Sequence, residues 1–284
     1  MPKPHTNPVS LTQEERTEIT HKMVTCPFVG AAVATGQLRV LNSAQNPLAD
    51  IEEMAQLGDT GGGNLGTRTL KLFARGNHSR WLVPVDSSDD LVPAGTFSLL
   101  FGGSQGAHAG HSGILLGNPT EVGQGRFDQA AFDRLAGHAD SSGRLSIDAV
   151  GDFIAENLKR DPDAQVLPFL KLIRDTGRLL NELKDVVLRG DDAEKTEAFE
   201  AFTKLLGEDH LAGSAGEWGL LFAFLKNSPN SEDGDIALSD VATMFVDKQF
   251  PDGWETWPKQ TLTWITTVLR LVKDAAFAYH FGWE

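Results

Sequence analysis

Cys26 is the only cysteine in a chain of 284 residues, so no disulfide closes within one molecule. A lone cysteine has three ordinary uses: a small buried hydrophobe, a reactive thiol or a metal ligand. The neighbouring residues bear on that choice. In Thr25-Cys26-Pro27-Phe28 a proline directly follows the thiol. Proline disfavours helix at the residue before it but suits the first turn of a new helix. Cys26 is therefore expected at a helix entrance, ahead of a helix over Phe28–Gly36. Backbone amides at such an entrance lower a thiol's pKa and favour the thiolate that binds metals.

Three other patterns carry possible chemistry. Gly61-Gly62-Gly63-Asn64-Leu65-Gly66, with Asp86 downstream, has the glycine spacing of a dinucleotide-binding turn. That turn needs a buried strand just before it. Ile51–Leu57 reads instead as an amphipathic helix, so a flexible loop is the simpler reading. The second and third are Asp140–Asp148 and Asn230–Ile236, which resemble parts of calcium loops. With Gly143 as the sixth loop residue, His138 stands first and Ala149 twelfth. With Gly234 sixth, Pro229 stands first and Asp240 twelfth. Neither loop has the bidentate glutamate of a full calcium loop at its twelfth position. Each reads as an acidic turn. A non-catalytic or calcium-binding helical module with degenerate paired EF-hand loops is the alternative to an enzyme.

Composition limits the partners. Hydrophobic residues are 40% and charged residues 23%, the balance of an ordinary globular protein. The formal net charge is -14. Such a surface repels phosphate backbones, so no nucleic-acid partner is expected. No apolar run reaches the roughly 18 residues of a membrane helix, and the N-terminus carries no apolar signal segment. A soluble, cytoplasmic protein with no membrane partner is expected.

The elements that would position these residues are mostly helical. Residues 1–9 carry three prolines and read as a flexible lead, and residues 10–284 as one helical domain. Ser10 is placed to cap a helix running to about Lys22, with Glu14 and Glu15 in its first turn. Pro47–Leu57 has helical spacing in Leu48, Ile51, Met54 and Ala55, and Leu65–Ala74 reads as helix again. Arg80–Val85 reads as a short extended stretch, and residues 86–126 as long glycine-rich loops around the apolar Thr96–Phe101. Helical periods recur over Phe127–Ala136, Ile147–Leu158, Val166–Leu188, Glu194–Leu206, Gly216–Leu225, Leu238–Gln249 and Leu262–Phe281. The fold class is all-α. Trp254, Trp257 and Trp264 mark a closing helix packed on the core.

Cys26-Pro27-Phe28-Val29-Gly30-Ala31-Ala32-Val33-Ala34-Thr35-Gly36 resembles the proximal segment of the haem-thiolate peroxidase and peroxygenase family, the chloroperoxidase-like and unspecific peroxygenase-like proteins. There a Cys-Pro step is followed by a glycine at the spacing of Gly36, although Ala34 and Thr35 replace the family's asparagine and histidine. Four further segments resemble the family in its order: Gly125–Asp133, Asp148–Asn157, Ala215–Phe224 and Phe245–Trp254. The resemblance implies a chloroperoxidase-type helical fold and haem b held by the Cys26 thiolate, with Pro27, Phe28, Val29 and Ala32 beside the porphyrin. It implies Glu217 as the acid–base residue, with His111 or His108 steadying it. The implied reaction uses hydrogen peroxide to oxidise or oxygenate a small apolar or aromatic molecule, or serves one biosynthetic step. Gly110 and Ile114 stand where the family has a glutamate and a serine that help bind a divalent cation, so that metal site is lost or rebuilt.

Overall fold

The computed structural model describes residues 8–22, 24, 26–44, 47–60, 95–99, 113–115, 127–189, 197–198, 201–202, 204–206, 208–258 and 263–282. The described chain is mostly helical. Helix α1 spans Gln13–Lys22. Its cap is Thr12 rather than Ser10. The Thr12 amide donates to Glu15 Oε2 at 2.8 Å, and the Glu15 amide donates to Thr12 Oγ1 at 3.2 Å. This reciprocal pair satisfies two amides that a helix start leaves open.

Helix α2 is Pro27–Ala34, with Cys26 as its N-cap residue and Pro27 in its first turn. It ends as its glycine demands. Gly36 has φ +76°, and Leu38 turns back so that its amide donates to Ala32 O at 2.9 Å. A side chain at Gly36 would also collide with the Arg16 guanidinium.

The stretch Pro47–Leu57, expected to be wholly helical, divides. Strand β1 (Leu41–Asn42) pairs antiparallel with β2 (Pro47–Asp50), which pairs with β3 (Thr96–Ser98). Helix α3 then runs Ile51–Thr60. Asp50 makes the division, because its Oδ1 accepts the Glu53 amide at 2.9 Å and caps α3. Strand pairing of Leu48 and Ala49 outweighs the helical spacing, since their partners in β3 lie far along the chain. What precedes the Gly61–Gly66 run is therefore α3, not a strand.

The C-terminal part follows its periods closely. Helices α4 (Gln129–Gly137), α5 (Ile147–Arg160) and α6 (Phe169–Arg189) come first. Helix α7 (His210–Leu225) begins at His210 rather than Gly216, because buried Asp209 accepts the Ala212 amide at 2.7 Å and starts it early. Helix α8 is Leu238–Phe245, and α9 is Thr263–Phe281. Helix α8 stops short of Gln249, and Lys248 beyond it has φ +52°. Strand β4 (Arg144–Leu145), just before α5, pairs antiparallel with β5 (Ile236–Ala237), just before α8. Helix α9 packs on α5, α6 and α7, while α2 packs on α1 and α8. One hydrophobic cluster runs from Ile19 to Ala276 and includes Trp254, Trp257 and Trp264. Among the described residues no helix is long and apolar enough to cross a membrane. The expected Leu65–Ala74 helix and the Arg80–Val85 stretch lie outside the described residues.

Candidate active site around Cys26

Cys26 sits where the Cys-Pro step predicts. Its backbone is extended, with φ −71° and ψ 119°, and the helix opens with the next residue. No capping hydrogen bond closes to Sγ, yet the Val29 and Phe28 amides lie close enough to favour the thiolate. Burial acts the other way and is the larger influence, so the thiol is pushed up to about 11. The negative charge of Glu217 adds to the rise, and the Lys248 ammonium opposes it. Cys26 is thus a neutral thiol at pH 7 in the metal-free chain. A bound metal ion would reverse this, because a coordinating thiol gives up its proton.

Glu217 and Cys26, read from segments almost two hundred residues apart, feel each other's charge. Glu217 lies in the interior of α7 and not in its first turn. A carboxylate there gains little from the helix dipole, whose influence is confined to the end turns. It is half-buried, and Gly216, Trp218 and Gly219 beside it are buried.

Aromatic rings gather around Phe28, two residues after Cys26. Phe28 meets Phe250 edge-on at 5.1 Å, Phe224 at 5.8 Å and Trp254 at 6.1 Å. Phe250 stacks on Trp254 at 4.3 Å, and Phe224 lies 5.4 Å from Trp257. Three of the segments that resemble the haem-thiolate family, at Cys26, Ala215–Phe224 and Phe245–Trp254, thus converge on one ring. Pro27, Val29 and Ala32 are buried in the core, while Cys26 and Phe28 keep partial exposure.

Lys248 is the residue that sequence reading passed over. It is 1% exposed, and its stem runs past Gly30, where an added Cβ would lie 3.6 Å from the lysine Cδ. Burial lowers its pKa to about 8, and the Cys26 charge pulls it back upward. Burial followed by the Lys248 charge also lowers His21. None of the ion pairs among the described residues includes Lys248. Nothing in Asp247-Lys248-Gln249 marks the lysine as buried. It packs beside Gly30, in an element far away in sequence, where an added Cβ would stand at ordinary van der Waals distance.

His108 and His111 lie outside the described residues, as do Gly110 and the Gly61–Gly66 run. Ile114 is fully buried, a core residue. The donor set suits haem iron on its chemistry. It offers one sulfur, partly exposed, at a helix start whose amides stabilise negative charge, with a carboxylate and aromatic rings beside it. Comparison of the chain with known protein families, characterised proteins and solved structures returned no match.

Proposed function

We propose that this chain is a haem-thiolate oxidoreductase of chloroperoxidase-type fold that uses hydrogen peroxide to oxidise or oxygenate a small apolar or aromatic molecule. The observation that carries the reading is that Cys26, at the entrance of α2, feels the charge of Glu217, inside α7, and stands two residues from Phe28, whose ring meets Phe224, Phe250 and Trp254. Haem b, when bound, would supply peroxide activation, and a thiolate ligand favours O–O cleavage. Cys26 would hold the iron through Sγ. The Val29 and Phe28 amides and the Lys248 ammonium would hold the negative charge on that sulfur. Glu217 would take a proton from one peroxide oxygen and return it to the other through its carboxylate. His111 or His108 would steady that carboxylate, as the family resemblance implies. The aromatic rings would keep water from the reacting atoms and receive an apolar substrate. The cytoplasm, where thiols stay reduced, suits a cysteine that must remain unoxidised to bind iron.

The test is spectroscopic. The protein is produced with added haem, reduced and exposed to carbon monoxide. A thiolate-ligated haem gives a strongly red-shifted Soret band, and Cys26→Ala should remove that shift. Glu217→Gln should keep the shifted band and lose about 10²–10⁴-fold in peroxide-dependent turnover. Wild-type protein without any haem spectrum sinks the proposal and leaves a non-enzymatic helical module.

A further inference from the structure

Strands β4 and β5 join two helix–loop–helix units, α4–α5 and α7–α8. Their register sets Leu145 opposite Ile236 and Arg144 opposite Ala237, and the Leu238 amide donates across to Gly143 O at 3.0 Å. Gly143 and Gly234 both take positive φ, +74° and +90°. Counting each glycine as the sixth residue of a twelve-residue loop, the paired Leu145 and Ile236 are both eighth residues. The two loops therefore bend alike and pair at equivalent positions, as calcium-binding loops do.

Their oxygens are used differently. In loop 138–149 the first residue, His138, is bonded to Glu156 at 3.0 Å. Asp140 Oδ1 already accepts the Ser142 amide at 2.8 Å, the Ser142 hydroxyl at 2.7 Å and the Arg144 amide at 2.9 Å. The twelfth residue is Ala149, without a side-chain oxygen to offer. That loop is closed by its own hydrogen bonds.

Loop 229–240 differs: the Ser231 hydroxyl donates to Leu225 O at 2.8 Å and keeps its lone pairs for a ligand. Its twelfth residue, Asp240, is only 3% exposed. One carboxylate oxygen, Oδ1, accepts the Asn230 side-chain amide at 2.9 Å, which turns the group into the loop. The other, Oδ2, is buried without a hydrogen-bond partner among the described residues. A buried carboxylate oxygen with no partner is costly, and a cation in the loop is the partner that would offset this. Ser231 and Asp233 stand third and fifth, and the Asp235 carbonyl seventh, the other positions that supply oxygen in such loops.

We propose that loop Pro229–Asp240 binds one divalent cation of the calcium class through Asp240, Asp233, the Ser231 hydroxyl and the Asp235 carbonyl, with loop 138–149 as its cation-free structural partner. Oxygen donors on an irregular loop suit calcium better than the rigid octahedron magnesium demands. Among the described residues no three His, Cys, Asp or Glu side chains gather to hold a metal. Two carboxylates must suffice, so the dissociation constant belongs in the weak range of roughly 10⁻⁴–10⁻³ M.

The full chain, freed of metal with a chelator, is titrated with calcium chloride by calorimetry. One saturable site is expected. Asp240→Asn and the exposed Asp233→Asn should each weaken it about tenfold or more. Asp148→Asn, exposed in the other loop, should leave it within about twofold. Cys26→Ala should bind calcium as the wild type does, which separates this site from the haem reading. No saturable binding at roughly 10 mM calcium, or binding that both loop variants leave unchanged, overturns the proposal.

Discussion

At the scale of single residues, Cys26 and Lys248 titrate in opposite senses, and pH separates them. Lys248 falls from 10.5 to about 8 on folding. Below pH 8 it is charged in both states, and the folded state carries the burden of burying it. Between pH 8 and 10.5 the folded chain releases this proton first, so stability rises. Cys26 rises from 9.0 to about 11. Its contribution is fully present below pH 9 and is lost as pH rises through 11. The interval from pH 8 to 9 therefore belongs to Lys248 alone. Lys248→Met, which keeps the buried stem and removes the charge, should raise stability at pH 7 by roughly 1–3 kcal/mol. Denaturant unfolding at pH 7 and pH 9 should show that gain shrinking. A variant less stable than wild type at pH 7 would mean that the ammonium is well compensated where it lies. The position of Cys26 was legible in the sequence because proline acts on its immediate neighbour. The burial of Lys248 was not, because it comes from packing against remote elements such as α2.

At the scale of elements, the helices approach one another through glycines. A Cβ at Gly219 in α7 would overlap the Val268 side chain and come within 3.3 Å of its backbone in α9. At Gly151 in α5 the added atom would stand 3.2 Å from the Ala275 amide nitrogen, also in α9. Gly177 in α6 has open space around it. Gly219→Ala should destabilise by about 1–3 kcal/mol through overpacking. Gly177→Ala should stabilise by about 0.5–1 kcal/mol, since alanine is the better helix former. Thermal melts of the two variants beside wild type decide it, and shifts of the same sign would refute the packing account. The helical periods of the C-terminal part were legible because α5 and α9 each bury one face and expose the other. Strand β2 was misread because two short strands carry no period of their own. Their pairing partners are remote residues such as Phe97.

At the scale of the whole molecule, charge dominates. The 39 acidic residues exceed the 25 basic ones, and a net charge of -14 works against compactness by self-repulsion. Exposed pairs such as Arg178–Glu182 at 2.9 Å contribute only a few tenths of a kcal/mol each. Screening should therefore help more than it harms. The midpoint of thermal unfolding should rise between about 10 mM and about 150 mM sodium chloride, as the screening length shortens to about 8 Å. A falling midpoint would show that ion pairs outweigh the repulsion. The sodium salt keeps this effect apart from specific calcium binding in loop 229–240.

The parts of this protein written locally in its chain were the helix entrance at Cys26, the C-terminal helices and the calcium-loop outline of two acidic turns. Each depends on residues within a turn or two of one another: a proline after a cysteine, apolar residues at helical spacing, a glycine between acids. Folding then chose among meanings that local pattern left open. It brought Glu217 and Lys248 to Cys26, set Leu145 opposite Ile236, and left Asp240 Oδ2 buried without a partner among the described residues. These outcomes rest on contacts between distant segments and on the removal of charged groups from water. Neither distance nor burial is a property of a residue's own neighbours in sequence. A lone cysteine thus marks where chemistry is possible, and the packing around it determines which charges it meets.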